Sequence, residues 1–300
     1  MTKIKVVTHS GGFHADDVFG VATLTLLLGE ENIEVVRSRK PEDLIGASYV
    51  LDTGSVYDPD KNLFDHHQTG GAGERANGIP YASFGLIWKK FGAEIVGSQE
   101  VADAVDEYVV QPIDASDNGV ELFFKNEKYK KLPFLIQSIV GFLEPARGEG
   151  RTREEAFAEA VIIARQILKR VIVHAETDIN TKKFIREQYE KADDKTLIIF
   201  PEEEIISRVL IANILCEYPE PLYFVRHHED RTWQVVCVTL EAFSYQHRKP
   251  LPETWRGKSD EELILATGVG DAVFCHRAGF MAVAKTKEGA LALAKLALEA

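Results

Sequence analysis

The sequence predicts an α/β fold in which a largely parallel sheet is followed by a smaller α/β domain. In the first half of the 300 residues, short β-branched segments alternate with helical patterns, as in parallel sheets covered by helices. His and Asp side chains also recur where predicted strands end, which is the edge where such sheets bind ligands. We expect one domain at residues 1–190, including a long connecting helix, and a second at residues 191–300.

The N-terminal half supplies the elements of the predicted parallel sheet. The helix after the first strand covers residues 17–28 and ends at Gly29. Residues 70–78 (GGAGERANG) form a polar loop, and helical patterns then continue to about residue 110. Enrichment in β-branched and aromatic residues predicts the strands in IKVV, IEVVRS, YVLDTG and NLFDHH.

A long helix is predicted to begin near Thr152, because Thr152 and Glu155 have the spacing of a capping box. We expect it to run past Phe184 with an interruption whose position the sequence leaves open. The composition then changes to strand-like segments, and HHEDRT is typical of a hairpin turn. The strands are predicted in TLIIF, LYFVRHH, WQVVCVTL, DAVFCH and FMAVAKT, before a closing helix rich in Ala and Leu.

The composition of the chain argues against several classes of protein. The formal net charge of −12 argues against nucleic-acid binding through overall basicity. The three cysteines lack CxxC spacing, which argues against a zinc finger or a disulfide framework and predicts buried reduced thiols. The longest uncharged apolar stretch, around residues 18–29, is too short to span a bilayer. We expect a cytoplasmic protein with no membrane partner, and the sequence leaves a homo-oligomer open.

Four clusters of metal-capable side chains lie at or near predicted strand ends. Mixed imidazole and carboxylate ligands favour Mn²⁺, Fe²⁺, Co²⁺ or Zn²⁺, and one ion would not need this many ligands. A carboxylate can bridge two ions about 3.5–4 Å apart, and such a pair activates water and stabilises a phosphoryl transition state. The clusters contain His9, His14, Asp16 and Asp17; Asp52; Asp65, His66 and His67; and Asp114 and Asp117.

These motifs, taken in order, resemble the DHH phosphoesterase superfamily through FDHHQ, the upstream His/Asp loop and LDTG. A closer resemblance is to the family named for the melanocyte proliferating gene exonuclease. That resemblance rests on THSGGFHADDVFG, DTGSVYDP, FDHHQ, IDASDNG, RKPLPETWRG and FCHRAGF, which span nearly the whole chain. It implies a DHH-type metal-binding catalytic domain and a smaller substrate-binding α/β domain.

The resemblance also implies a metal site. Asp52 matches the position that bridges two ions. We expect two divalent ions, with Mn²⁺ first and Co²⁺, Fe²⁺ or Zn²⁺ as alternatives. His14 stands where the wider superfamily usually has an aspartate, and the loss of one negative charge shifts the preference toward imidazole-tolerant ions. In the fourth motif Asp114 and Asp117 both remain open, and Asp117 is preferred because NG follows it. The implied ligands are His9, His14, Asp16, Asp52, His66 and Asp117.

Two further residues are implied to be catalytic. His67 matches the position that faces the substrate phosphate, and Asp65 is implied to be the partner that orients a histidine. In the C-terminal motifs, basic side chains suit phosphate binding, because an arginine guanidinium can donate two hydrogen bonds to one phosphate. Trp255 is equally compatible with a core position and with base stacking. The predicted substrate-binding residues are Arg248, Arg256, His276 and Arg277.

Three functions are compatible with these residues. The first is a metal-dependent phosphodiesterase, a 3′-to-5′ exonuclease on RNA or short oligonucleotides that uses water activated by two metal ions. The second is a hydrolase of a small phosphoester such as a nucleotide, a dinucleotide or pyrophosphate. The third is a non-enzymatic metal-binding protein with the DHH fold, which the complete ligand set disfavours. The expected partner is thus a nucleic acid or a nucleotide.

Overall fold

A computed structural model describes residues 3–123, 128 and 134–300. The chain forms two compact units, Met1–Glu176 and Thr177–Ala300. In the described residues each unit combines helices with one five-stranded sheet, so the predicted α/β class is confirmed. The units divide within a helix, and the predicted domain boundary at residue 190 stays a prediction.

The sheet of the first unit contains strands β1 to β5, in the order β2-β1-β3-β5-β4. Strands β1, β2, β3 and β5 are parallel, as predicted, and β4 is an antiparallel edge strand. The carboxyl ends of β1, β3 and β5 therefore lie side by side. The strands are Ile4–Thr8 (β1), Ile33–Arg37 (β2), Tyr49–Leu51 (β3), Tyr57–Asp58 (β4) and Leu63–Phe64 (β5).

The helices of the first unit include one that is buried almost throughout its length, α1. It ends at Leu28 with Gly29 as its cap, as predicted, and starts earlier than predicted, at Ala15. A Cβ atom at Gly20 would lie 2.7 Å from the Leu51 side chain, so this glycine allows α1 to lie against the sheet. The helices are Ala15–Leu28 (α1), Pro41–Leu44 (α2), Ser83–Val96 (α3), Gln99–Val105 (α4), Gln111–Asp117 (α5), Ile136–Leu143 (α6) and Arg153–Lys191 (α7), with a π-helical turn at Asp106–Val110.

Helix α7 extends from the first unit into the second. The predicted capping box is confirmed, because Glu155 N–H donates to Thr152 Oγ1 (3.2 Å) and Thr152 N–H donates to the Glu155 carboxylate (2.9 Å). The predicted interruption is wrong: α7 is continuous over 39 residues. Its sequence has no Gly or Pro, the residues that most often break or kink a helix.

The sheet of the second unit has the order β6-β7-β8-β10-β9, and β7 and β8 form the predicted hairpin. One face packs against the C-terminal helix α10, and Trp255 is buried in that core. The other face packs against α8 and the end of α7. The elements are Leu197–Ile199 (β6), Arg208–Leu215 (α8), Tyr223–His227 (β7), Trp233–Cys237 (β8), Asp260–Thr267 (α9), Ala272–Cys275 (β9), Met281–Ala284 (β10) and Lys287–Glu299 (α10).

Two further predictions concern the cysteines and the membrane. All three cysteines are free; Cys237 and Cys275 are buried as predicted, whereas Cys216 is only half-buried. Among the described residues, no helix combines the length and the apolar character needed to cross a membrane.

Candidate metal centre

Parallel strands deliver four of the predicted side chains to one edge of the first sheet. His9 follows β1, Asp52 follows β3, and Asp65 and His66 follow β5. All four are buried. Asp52 N–H donates to the Phe64 carbonyl (3.1 Å), which ties the ends of β3 and β5 together. Asp52 has a φ of 52°, a left-handed conformation that is uncommon outside glycine and often marks functional sites.

Two helix ends complete the cluster. His14 caps the N-terminus of α1, and its N–H donates to Asp17 Oδ1 (2.8 Å). Asp16 and Asp17 lie in the first turn of α1 and are fully buried. The helix dipole favours negative charge at this end. Asp117 is the last residue of α5.

The carboxylate of Asp52 lies between two histidines. Its Oδ2 atom is 3.1 Å from His9 Nε2, and its Oδ1 atom is 3.5 Å from His66 Nε2. His9 Nε2 is also 3.1 Å from Asp17 Oδ2, and His66 Nε2 is 3.1 Å from Asp117 Oδ2. One oxygen of Asp52 thus faces each histidine, as a carboxylate shared by two ions requires.

The six predicted ligands come together in the structure. In three overlapping groups of side chains, the atoms able to bind a metal lie within 4.8 Å of one another. Asp52 and His14 each belong to two groups, and His67 joins one of them. The groups are His9, His14 and Asp52; Asp52, His66 and His67; and His14, Asp16 and Asp117.

The polar atoms of this cluster fit divalent cations. Among the described residues, several buried nitrogen and oxygen atoms here make no hydrogen bond. Some of these atoms lie within ion-pair distance of one another, but neither oxygen of the buried Asp16 carboxylate makes a hydrogen bond or an ion pair with a described residue. Buried charge of this kind is unfavourable, and a cation at this position would offset it. The mixed nitrogen and oxygen donors suit a first-row divalent metal. The atoms are Nε2 of His9 and His66, both carboxylate oxygens of Asp16, Oδ1 of Asp52 and Oδ2 of Asp17.

The pKa values of Asp16, His9 and His66 also indicate that positive charge is favoured at this site. Burial raises the pKa of Asp16 well above its ordinary value, and the neighbouring charges of Asp52 and Asp117 raise it further. Burial lowers the pKa values of His9 and His66, but the carboxylates that each contacts outweigh burial and raise both to about 10. The surrounding carboxylates thus favour positive charge at His9 and His66.

His67 and Asp65 form a second pair at the end of β5. His67 Nδ1 lies 2.8 Å from Asp65 Oδ1, and the other oxygen of Asp65 accepts the Ser55 N–H at 2.6 Å. The Asp65 side chain is buried, whereas that of His67 is 58% exposed. A proton on Nδ1 that is donated to Asp65 leaves Nε2 of His67 free for a ligand. This geometry suits the predicted orienting role of Asp65.

Asp114, the alternative ligand in the fourth motif, is engaged elsewhere. Its Oδ2 atom lies 2.8 Å from Arg75 Nη2, and its Oδ1 atom accepts the Gly85 N–H at 3.0 Å. Asp114 belongs to none of the three groups, whereas Asp117 contacts His66. The geometry therefore favours Asp117.

Three supporting residues were absent from the predicted site set. Asp17 contacts His9 and could have been selected, because acidic residues are favoured in the first turn of a helix. Arg39 Nη2 lies 2.9 Å from His9 Nδ1, and Glu144 accepts the Phe13 N–H at 2.7 Å across 131 residues of sequence. No sequence signal links Arg39 or Glu144 to the site.

A cleft of about 350 Å³ adjoins the cluster. His14, Asp16 and Asp117 line it together with residues of α5 and α6. Its volume is near the lower end of the range of small-molecule sites. The cluster of candidate ligands thus borders a cleft of small-molecule size.

The four predicted substrate-binding residues lie in the second unit. Arg248 donates to the carbonyl oxygens of Pro221 (3.0 Å) and Cys216 (2.7 Å). Arg256 Nε donates to the Leu251 carbonyl at 2.9 Å. The His276 ring packs against Phe280, with centroids 4.3 Å apart, and Arg277 is exposed. Their contacts with substrate stay a prediction.

Sequence comparison identifies the family. The MYG1 exonuclease model, described as an uncharacterised protein family (UPF0160), matches residues 5–298. The chain belongs to this family. Human MYG1 exonuclease is 30% identical over 332 residues, which cover 99% of this chain and 86% of the human protein. The MYG1 protein of Dictyostelium discoideum is 28% identical over 324 residues, which cover 98% and 96% of the two chains.

These matches confirm the predicted membership of the MYG1 family. Among solved structures, RecJ from Thermus thermophilus in complex with Mg²⁺ is similar, with a TM-score of 0.31 and 11% sequence identity. That comparison covers 99% of this chain and 50% of the RecJ chain.

Proposed function

We propose that this MYG1-family protein is a metal-dependent phosphodiesterase, an exonuclease that shortens RNA or oligonucleotides from the 3′ end. The observation that carries the proposal is the carboxylate of Asp52, which directs one oxygen toward His9 and the other toward His66. Membership of a family whose human member is named an exonuclease supports the reaction class.

Two divalent ions are proposed for this site, with Mn²⁺ as the first candidate and Co²⁺, Fe²⁺ or Zn²⁺ as alternatives. Bound ions of this kind supply Lewis acidity, which activates water and neutralises charge on phosphoryl oxygens. Asp52 is the proposed shared ligand. The ligand set is His9, His14, Asp16, Asp52, His66 and Asp117.

The chain itself supplies a group for the phosphoryl oxygens. His67 Nδ1 lies 2.8 Å from Asp65 Oδ1 on a ring that is 58% exposed, so a hydrogen bond donated by Nδ1 to Asp65 leaves Nε2 available to substrate. A protonated Nε2 would donate to the oxygen on which negative charge develops, and the buried Asp65 carboxylate would stabilise the imidazolium ion. In the second unit, Arg256, His276 and Arg277 are the residues proposed to bind substrate phosphate. Arg248 holds their segment in place through its two backbone carbonyl partners.

A second candidate is the hydrolysis of a small phosphoester. The cleft beside the cluster, at about 350 Å³, favours this candidate because its volume suits a single nucleotide better than a chain. An exonuclease would place only its terminal nucleotide there.

A substrate panel separates the two candidates. RNA and DNA labelled at either end, dinucleotides and pyrophosphate would be incubated with Mn²⁺, Mg²⁺, Co²⁺ or Zn²⁺. We expect RNA labelled at its 5′ end to shorten stepwise in the presence of at least one ion. Turnover of dinucleotides or pyrophosphate alone would establish the second candidate. Failure to hydrolyse any substrate with any ion would overturn both.

A further inference from the structure

A second cleft, of about 360 Å³, lies wholly within the second unit. It is formed by α8, by the end of β8 with the loop that follows it, and by Phe280 before β10. Its volume falls in the range of small-molecule sites. Side chains able to stack or to donate hydrogen bonds dominate its lining: Arg208, Asn213, Phe243, Tyr245, His247 and Phe280.

Two aromatic side chains at this cleft are almost fully exposed. Phe243 is 84% and Tyr245 is 96% exposed. Their loop is nevertheless held in place, because Leu240 N–H donates to the Gln246 carbonyl and Phe243 N–H donates to Asn213 Oδ1 (both 2.9 Å). Phe243 has a φ of 59°, a strained conformation for a bulky residue and one that clusters at ligand sites. The loop therefore holds its backbone in place and presents two flat aromatic side chains to solvent at the cleft.

The guanidinium of Arg208 lies over the ring of Phe280. The Arg208 guanidinium lies 4.9 Å from the ring centroid, within the range of a cation–π interaction. The ring of His247 is nearly parallel to Phe280, at 14° and a centroid distance of 5.8 Å. His276, one of the predicted substrate-binding residues, packs against the same ring. Phe280 thus contacts both His247, which lines the cleft, and His276, a predicted substrate-binding residue.

The positive charge at this cleft has no carboxylate partner. Among the described residues, neither Arg208 nor the buried Arg226 of β7 has a carboxylate within ion-pair distance. Burial and the nearby charge of Arg208 lower the pKa of Arg226, although the charges of Glu229 and Asp230 act in the opposite direction. Of the two guanidinium groups only Arg208 lines the cleft, and without a carboxylate at ion-pair distance it can pair with a phosphate.

We propose that this cleft binds one nucleotide of the substrate, with its base stacked on Phe243 and Tyr245 and its phosphate on Arg208. The proposal rests on the proposed function for its choice of a nucleic-acid substrate. Stacking on aromatic rings accepts any base, because every base has a π face. The Nδ2 group of Asn213 can donate to a base edge, since its Oδ1 atom is already bonded to Phe243.

The test uses the full-length protein, kept in EDTA so that no metal contributes to binding. The probe is the 5′-monophosphate of 2-aminopurine riboside, whose fluorescence falls when its base stacks. We expect saturable quenching by the unmodified protein. Tyr245→Ala should weaken probe binding by about 5- to 150-fold, the effect of removing one stacking ring. Tyr108→Ala is the matched control, since Tyr108 is 82% exposed but belongs to the first unit.

A second variant tests the phosphate contact. Arg208→Gln should weaken binding of the monophosphate while leaving the weaker binding of the unphosphorylated riboside unchanged. Equal loss for both ligands, or equal affinities in Tyr245→Ala and Tyr108→Ala, would overturn the proposal. If Tyr245→Ala dissociates an oligomer in sedimentation and leaves quenching unchanged, the face is an interface between copies and the proposal also fails.

The outcome is separable from that of the proposed function. RNA hydrolysis without probe quenching would reject the cleft as a nucleotide site and leave the exonuclease proposal intact. Probe quenching without hydrolysis of any substrate would support the cleft as a nucleotide site and reject the exonuclease proposal.

Discussion

At the scale of single residues, Asp52 is the side chain on which the metal centre depends most. Asp52→Ala removes both oxygens that face His9 and His66, so we expect hydrolysis to fall by more than about 100-fold, beyond the effect of losing an outer partner. Circular dichroism should show a folded protein. Asp60→Ala, a change at an exposed aspartate of the same unit, is the control. Turnover equal to that of the control would remove Asp52 from the proposed mechanism.

Three of the six proposed ligands, His9, Asp52 and His66, follow strands whose carboxyl ends share one edge of a parallel sheet. The other three, His14, Asp16 and Asp117, lie at helix ends, and the family resemblance alone implies them as ligands. The choice of Asp117 over Asp114 as the ligand of the fourth motif has a weaker basis in the sequence. They lie three residues apart in α5, and only the position of Arg75, far away in sequence, shows that Asp114 has another partner. Arg39 and Glu144 escape prediction for the same reason, since tertiary packing alone brings them to the site.

At the scale of elements, the placement of α5 rests on a buried ion-pair network. Arg75 donates to both carboxylate oxygens of Asp106, in the π-helical turn, at 2.6 and 2.8 Å, and it also contacts Asp114. A Cβ atom at Gly85 would lie 1.8 Å from Asp114 Oδ2, so glycine is required where α3 approaches this carboxylate. The network fixes the helix that ends in Asp117.

This network predicts a pH dependence of stability. Burial raises the pKa of Asp114 to about 7, although Arg75 and the Gly85 N–H favour the ionised form. The ordinary value is 3.8, so the folded state binds more protons than the unfolded state between these values. The stability that Asp114 contributes is complete below its unfolded pKa and is lost as the pH rises through about 7.

Urea unfolding at a series of pH values measures this effect. In Asp114→Asn, the free energy of unfolding should decrease less between about pH 4 and pH 7 than in the unmodified protein. Asp103→Asn, at an exposed position in α4, should retain the original profile. Parallel profiles for all three proteins would contradict the raised pKa.

The elements that sequence predicts well are those with a long repeating pattern. Helices α1 and α7 and the hairpin of β7 and β8 have such patterns or clear capping residues. Strand β4 has two residues, too few for any periodicity. The π-helical turn at Asp106–Val110 lies just before Pro112, which has no N–H to donate to the carbonyl four residues earlier. That missing donor is visible in the sequence, but the form of the distortion depends on the packing.

At the scale of the whole molecule, the acidic charge limits how the protein can hold nucleic acid. A net charge of −12 repels a polyanion, so binding must come from a few local contacts. The proposed contacts are the metal centre in one unit and a small number of basic side chains in the other. Such a protein should bind the end of a strand and make little use of the phosphates beyond it.

The salt dependence of catalysis tests this view. For single strands, the logarithm of an affinity falls with the logarithm of the salt concentration by about 0.7 per phosphate contact. With about two to four contacts, the slope of kcat/KM for RNA against KCl at constant Mn²⁺ should be about −1.5 to −3. Arg208→Gln should reduce its magnitude by about 0.7, because one contact is lost, whereas Tyr108→Ala should not change it. A slope steeper than about −5 would require a long basic tract, which an acidic chain with local contacts does not provide.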